Sequence, residues 1–236
     1  MAEVPHHLYG YVSPEAAYST GRWLEDVAGV ITDIHARGRI PVLVGGTGLY
    51  FKALTGGLSD IPSVPPEIRD HWRDFAARNG AVALHAELAR RDPVMAAELN
   101  VSDIQRVLRA IEVHVATGKS IADFRLPPER VVVPAETATK IVLLPERQSL
   151  YDKINARVVE MVEHGALEEV KHLISLNVAE SQPLMKAIGV REFSAYTNGS
   201  CTLDEAIAKT ATATRQYAKR QMTWMRNQLD ENWQKI

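Results

Sequence analysis

Ile40-Pro41-Val42-Leu43-Val44, followed directly by Gly45-Gly46-Thr47-Gly48, decides the fold class. The first five residues form a short continuous apolar run, the pattern of a strand buried in a parallel sheet. The glycines break that strand, and Leu49 to Leu54 read as the next helix. On the N-terminal side, Thr20 stands where it can cap a helix running to about Arg37. Leu24, Val27, Ile31 and Ile34 give that helix one apolar stripe, and Gly38 ends it. Helix, buried strand, glycine turn, helix is the order of an α/β fold. Lys140-Ile141-Val142-Leu143-Leu144 is the one other good strand candidate. Two strands do not make a stable doubly wound sheet, so the expected sheet is small or short of strands.

Between the two strand candidates the pattern turns helical and more charged. Pro65-Pro66-Glu67 opens a helix holding Ile68, Trp72 and Phe75; Ala81 to Arg91 form another, stopped by Asp92-Pro93. Ser102 or Asp103 caps a third, with Val107, Leu108, Ile111 and Val115 on its apolar side and Gly118 as its stop. Arg125 to Thr139 contain Pro127, Pro128 and Pro134 and read as a loop. The expected organisation is therefore an α/β core of residues 1–60 and 134–236, with a helical insertion at 61–133. After the second strand candidate, Leu150, Ile154, Val158 and Met161 mark one helix, and Leu167, Val170, Leu173 and Ile174 another. Thr202-Leu203-Asp204-Glu205 is a capping-box pattern that opens a long final helix.

Composition narrows the classes. The chain has 236 residues, a formal net charge of −2, 46% hydrophobic and 24% charged residues, enough for a sizeable core without staples. The single Cys201 excludes a disulfide framework and a Cys-rich zinc site, and suits a reducing cytoplasm. No run approaches the ~18 apolar residues of a membrane span, and Met1-Ala2-Glu3-Val4-Pro5-His6-His7 lacks the basic and apolar regions of a signal peptide. Near-neutral charge allows a nucleic-acid partner only if the cations are clustered.

They are clustered in the final helix. Between Ala206 and Leu229 stand Lys209, Arg215, Lys219, Arg220 and Arg226, with no acid among them. At ~100° per residue, Arg215, Lys219 and Arg226 share a stripe beside the apolar one. Gln216, Gln221, Trp224 and Asn227 lie among them, a set suited to phosphates and unstacked bases. A solvated helix face is the plainer reading of such a stripe, but solvated helices usually alternate signs. The glycine turn could offer backbone N–H groups to an anion, yet it is neither G-x-x-x-x-G-K-[ST] nor G-x-G-x-x-G. Arg157, beside an apolar stripe, fits either an anion contact or a surface ion pair with Asp152, Glu160 or Glu163. Gln105, Arg106 and Arg109 near one helix start, and Lys186 with Arg191 around Gly189, are further cationic elements. No histidine has carboxylate or histidine partners at ligand spacing, and no nucleophile–base pair stands out. These residues point to a phosphate-rich ligand and name no reaction.

Taken together, five segments resemble the tRNA dimethylallyltransferase (isopentenyltransferase) family, in the family's order. They are Pro5-His6-His7-Leu8; Val44-Gly45-Gly46-Thr47-Gly48-Leu49-Tyr50; Asp103-Ile104-Gln105-Arg106-Val107-Leu108-Arg109-Ala110-Ile111-Glu112-Val113; Lys186-Ala187-Ile188-Gly189-Val190-Arg191-Glu192-Phe193; and Thr214-Arg215-Gln216-Tyr217-Ala218-Lys219-Arg220-Gln221-Met222-Thr223-Trp224.

The resemblance implies an α/β, P-loop-kinase-like, nucleotide-binding parallel sheet with a mostly α-helical insertion and a helical C-terminal part. It implies transfer of a dimethylallyl group from dimethylallyl diphosphate to N6 of the adenosine just 3′ of the anticodon, with Mg2+, in the cytoplasm, by a monomer. Thr47 would line the reaction channel and Arg157 would contact the diphosphate. Arg69, Gln105, Arg106, Arg109, Lys186, Gly189, Arg191, Lys219, Arg220, Gln221, Trp224 and Arg226 would meet the tRNA anticodon stem-loop. No metal ligand is expected among the residues present. In the family a P-loop and an aspartate general base lie upstream of the Pro-His-His segment, and the sequence here contains no G-x-x-x-x-G-K-[ST]. The expectation is a member lacking its N-terminal strands and P-loop portion, roughly ~50–60 residues or two βα units, and inactive as written. An inactive tRNA-binding protein and an adenylate prenyltransferase acting on free nucleotides are the alternatives.

Overall fold

The computed structural model describes residues 4–16, 18–125, 131–180 and 182–236. The chain divides into two compact units, Met1–Thr55 with Val132–Ile236, and Gly56–Val131. The sequence pattern alone puts these boundaries at 61 and 133.

In the first unit, α1 (Thr20–Ala36) is capped by Ser19, one residue before the expected Thr20; the Ser19 hydroxyl accepts the Arg22 N–H at 3.2 Å. The apolar stripe of α1 buries Val27 and Ile31 against Leu54 of α2 (Gly48–Gly56), with Trp23, Leu24 and Leu43 around them. Gly38, at φ +66°, ends the helix in the left-handed region that favours glycine.

The run between α1 and α2 overturns the sequence reading. Residues 40–44 form no strand, and Ile40, Val42 and Val44 are 88%, 82% and 84% exposed rather than buried. A β-branched run becomes a strand only where a neighbour takes its N–H and C=O groups. Among the described residues the one ladder lies elsewhere. It joins β1 (Ile141–Val142) to β2 (Gln234–Lys235) in parallel, Ile141 opposite Gln234 and Val142 opposite Lys235. The Lys140–Leu144 candidate thus shrinks to two residues in a strand.

The second unit is helical. α3 (Pro66–Arg91) kinks at Gly80, where φ +77° and ψ 176° separate the two expected helices. Asp92 does not simply stop α3: its carboxylate accepts the Met95 N–H at 3.0 Å and restarts the chain as α4 (Pro93–Glu98). α5 (Ile104–Thr117) is capped by Asp103 and closed by Gly118 in the left-handed conformation, as the sequence indicates. The core of this unit is Trp72, Leu84, Leu88, Met95, Val107 and Ile111. Full burial of such side chains stabilises by about 1.5–3 kcal/mol each, offset by the entropy of ordering the chain. The His85 ring Nε2 lies 3.0 Å from both the Ala96 and Leu99 carbonyls, tying α3 to the end of α4.

The first unit resumes after the proline-rich loop. Pro127 and Pro128 lie outside the described residues, and Pro134 leads into a short 3-10 turn at Ala135–Thr137. Four helices follow: α6 (Arg147–Glu163), α7 (Ala166–Ser175), α8 (Val190–Thr197) and α9 (Leu203–Gln228). They share a core of Val158, Val170, Phe193, Ala206 and Ala211. The capping box is formed: Thr202 Oγ1 accepts the Glu205 N–H at 3.2 Å, and Glu205 Oε2 accepts the Thr202 N–H at 2.9 Å. Among the described residues no helix is long and apolar enough to cross a membrane.

Candidate functional site

The glycine turn and the final cationic helix meet. The Gln221 side-chain amide of α9 donates to the Gly46 carbonyl at 2.9 Å. A Cβ built on Gly46 would overlap that amide, and a Cβ built on Gly48 would fall inside the Trp224 ring. Neither position has a positive φ, so only close approach constrains them: at Gly48 a Cβ would displace the rigid Trp224 ring, whereas at Gly46 the flexible end of Gln221 could move aside. Thr47 sits between them, exposed at the start of α2, and its carbonyl accepts the Tyr50 N–H at 3.0 Å. Tyr50 stacks on Trp23 of α1 at 4.4 Å, which braces α2 from its other side.

On α9, Lys219, Arg220 and Arg226 are exposed and form no ion pair among the described residues. Arg220 lies over the Tyr217 ring at 5.6 Å. Arg215 is engaged differently, donating to Asn155 of α6 and to the Thr212 hydroxyl. An open depression of about 550 Å³ runs along the helix, lined by Gln216, Lys219, Arg220, Thr223, Trp224 and Asn227. Cations, amides and one indole around such a depression can take phosphate oxygens and an unstacked base. Gln221 and Trp224, expected on the tRNA side, also hold the turn that carries Thr47.

Arg157, Lys186, Gly189 and Arg191 lie on other elements of the same unit. Arg157 is exposed on α6 in a second open depression with Lys153, Glu160, Met161 and His164, and makes none of the expected ion pairs among the described residues. Gly189 has a structural role. At φ +100°, a conformation that side-chain-bearing residues rarely adopt, it precedes α8, and its N–H donates to Glu192 at 3.0 Å; a Cβ there would meet Phe193 and Thr210 at ordinary contact distance. Lys186 ends a 3-10 turn before it, and Arg191 lies in the first turn of α8.

In the helical unit, Gln105 and Arg106 are exposed in the first turn of α5, and Arg109 is half-buried one turn on. Arg109 donates to the Pro62 carbonyl at 3.4 Å and stands 3.9 Å from Glu112. Burial holds the Arg109 guanidinium below its usual value. Burial likewise raises the Glu112 carboxyl, while Arg109, Arg73 and Arg69 pull it back. Glu112 and Arg73 are functional candidates that sequence reasoning misses. The signal for Glu112 is an acid on the apolar stripe of Leu108, Ile111 and Val115.

Comparison with known proteins identifies the family. Residues 1–228 match the IPP transferase family. The chain belongs to that family. A tRNA dimethylallyltransferase of Rhizobium etli is 53% identical to this chain over 236 residues, covering 100% of this chain and 80% of the relative. One from Agrobacterium fabrum is 51% identical, covering 100% and 79%. Among solved structures, the tRNA isopentenylpyrophosphate transferase of Bacillus halodurans superposes with a TM-score of 0.62 at 36% identity, over 99% of this chain and 72% of that one. A eukaryotic dimethylallyltransferase acting on tRNA superposes with a TM-score of 0.75 at 27% identity, over 94% and 56%. The fold of this chain, mostly helical with a small parallel sheet, matches theirs.

Proposed function

We propose that this chain is the channel-forming and tRNA-binding part of a tRNA dimethylallyltransferase. The reaction is transfer of a dimethylallyl group from dimethylallyl diphosphate to N6 of the adenosine 3′-adjacent to the anticodon, in the cytoplasm. The observation that carries the proposal is the seating of Gly46-Thr47-Gly48 against Gln221 and Trp224 on the helix whose Lys219, Arg220 and Arg226 form no ion pair among the described residues. The turn, seated on Gln221 and Trp224, carries Thr47 beside that helix. Cations there stabilise phosphate charge, which grows on the departing diphosphate as the carbon–oxygen bond breaks. The adenosine must leave its stack to be reached, which a single-stranded loop permits at low cost. We further propose that residues 1–236 alone do not turn over, because they contain no G-x-x-x-x-G-K-[ST] to cradle the diphosphate.

The test is incorporation of labelled dimethylallyl groups into tRNA. The 236-residue chain is compared with a chimera carrying the N-terminal portion of the Rhizobium etli relative, with and without Thr47→Ala. The chain alone should give no product, the chimera should give product, and Thr47→Ala should lower its rate. Absence of tRNA binding and transfer by a folded chimera would overturn the reading. Prenylation of free adenosine monophosphate in preference to tRNA would favour the free-nucleotide enzyme.

A further inference from the structure

We infer that Trp233, in the tail that follows α9, is a positioning residue for Thr47, acting through Phe51 and the glycine turn. The turn needs outside support. Gly45, Gly46 and Gly48 surround Thr47, and glycine backbones have the widest conformational freedom. The Thr47 side chain is exposed and makes no hydrogen bond among the described residues, so the place of its hydroxyl depends on the backbone that carries it. Rings from three distant elements close on this turn and on the first residues of α2. Trp224 of α9 lies against Gly48, and Trp23 of α1 stacks on Tyr50. Trp233 meets Phe51 edge to face, with ring centroids 5.8 Å apart. The Phe51 ring in turn faces Gly45, where a built Cβ would lie 3.9 Å from Phe51 Cζ.

The tail is built to deliver that one ring. Asp230 turns the chain after α9: its carboxylate accepts the Asn232 N–H at 3.0 Å and its carbonyl accepts the Trp233 N–H at 3.3 Å. The tail is then anchored beside β1. The Gln234 N–H donates to the Lys140 carbonyl at 2.9 Å, the Ile236 N–H to the Val142 carbonyl at 3.1 Å, and the Leu144 N–H to the Ile236 carbonyl at 2.9 Å. These are all backbone bonds, and in residues 230–236 only Trp233 is partly buried while the others are exposed. The ladder therefore holds the tail, and Trp233 is what the tail brings to α2. This segment lies past residue 228, where the family match ends. Removing the indole would leave the turn held from the α1 and α9 sides alone. A misplacement of about 1 Å at a reacting group can cost about a hundredfold in rate, so losing one of three supports should cost about tenfold. The inference rests on the reading of Thr47 as a channel residue and extends it to a residue outside the five family-like segments.

Two measurements test it. In the full 236-residue chain, amide hydrogen exchange is followed by NMR at Tyr50, whose N–H closes on the Thr47 carbonyl, and at Val158 within α6 of the same unit. Trp233→Ala should speed exchange at Tyr50 about tenfold and leave Val158 unchanged. Trp233→Phe, which keeps an aromatic ring, should hold both near wild type. In the chimera carrying the N-terminal portion of the Rhizobium etli relative, Trp233→Ala should lower kcat for tRNA prenylation about tenfold, with KM for tRNA within about twofold. That loss should vanish when Thr47→Ala is already present, because residues acting as one unit are not additive; a general loss of folding would persist in both backgrounds. Wild-type exchange at Tyr50 in Trp233→Ala, or equal acceleration at Tyr50 and Val158, would overturn the positioning role. An undiminished kcat loss in the Thr47→Ala background would overturn it as well. If Thr47→Ala slows the chimera and Trp233→Ala does not, the inference fails and the Thr47 reading stands. If Thr47→Ala turns over like the parent chimera, both fail.

Discussion

Replacing Gly48 by alanine puts a methyl group where the Trp224 ring now lies. Carbon atoms settle at about 3.5–4.0 Å from one another, so the ring must retreat by more than ~1 Å or α2 must shift at its first turn. Overpacking of this kind typically costs about 1–3 kcal/mol. An opposing term exists: Gly48 opens a helix without a positive φ, and alanine there should otherwise gain ~0.5–1 kcal/mol. The cost in wild type is therefore about 1–2 kcal/mol net. Once Trp224→Ala has removed the ring, the same change should be neutral or stabilising. The coupling between the two substitutions should be about 2 kcal/mol, measured by urea unfolding of wild type, both single variants and the double variant. In thermal unfolding each kcal/mol should move the midpoint by roughly 2–4 °C for a chain of this size. A Gly48→Ala variant as stable as wild type, or an equal effect with and without Trp224, would refute the close approach.

Other outcomes follow from single residues. Thr202→Ala should cost about 1 kcal/mol by uncapping α9. The Thr202 backbone N–H holds the Glu205 carboxyl below its ordinary value, so its contribution is present above the ordinary carboxylate range and lost as pH falls through the folded-state value. Glu205→Gln should accordingly flatten the acid limb of a urea-midpoint profile, and an unchanged limb would reject the assignment. Val42→Lys, at an 82% exposed position, should leave stability within about 0.5 kcal/mol while reducing light scattering at high concentration, because it charges an exposed apolar run. A drop in stability instead would mean that the run is covered. Arg157→Ala, exposed and without an ion pair, should also stay within about 0.5 kcal/mol. In the active chimera, a wild-type kcat/KM for the diphosphate donor would remove Arg157 from the residues that touch the donor.

Local chemistry is legible in the sequence and pairing is not. The cap of α5, the stop at Gly118 and the capping box of α9 each depend on residues within one turn of each other, and each stands as the sequence indicates. Ser19 takes the cap from Thr20 because adjacent hydroxyl residues compete for the same N–H. Ile40–Val44 fails as a strand because propensity supplies no neighbour. Gln234-Lys235 carries no strand signal at all, since its ladder to Ile141–Val142 is made by backbone groups and its side chains are exposed. Asp92-Pro93 reads as an end and is also a beginning, proline being favoured in the first turn of α4. At the site, the acid-free run of α9 is plain in one dimension. That Gln221 and Trp224 turn back onto Gly46 and Gly48, some 175 residues away in sequence for the Gln221–Gly46 pair, needs the fold. Glu112 is half legible: an acid on an apolar stripe marks a buried charge but does not name Arg69 and Arg73 as its neighbours.

The central claim is that the acid-free face of α9 holds the anticodon stem-loop by its phosphates. The most direct measurement is the salt dependence of hairpin binding for wild type against Lys219→Ala/Arg220→Ala. Both residues are exposed and unpaired, so the variant keeps its fold. The account predicts weaker binding and a log Kd–log salt slope shallower by roughly one for each phosphate that is no longer neutralised. Equal affinity and equal slope for the two proteins would contradict it.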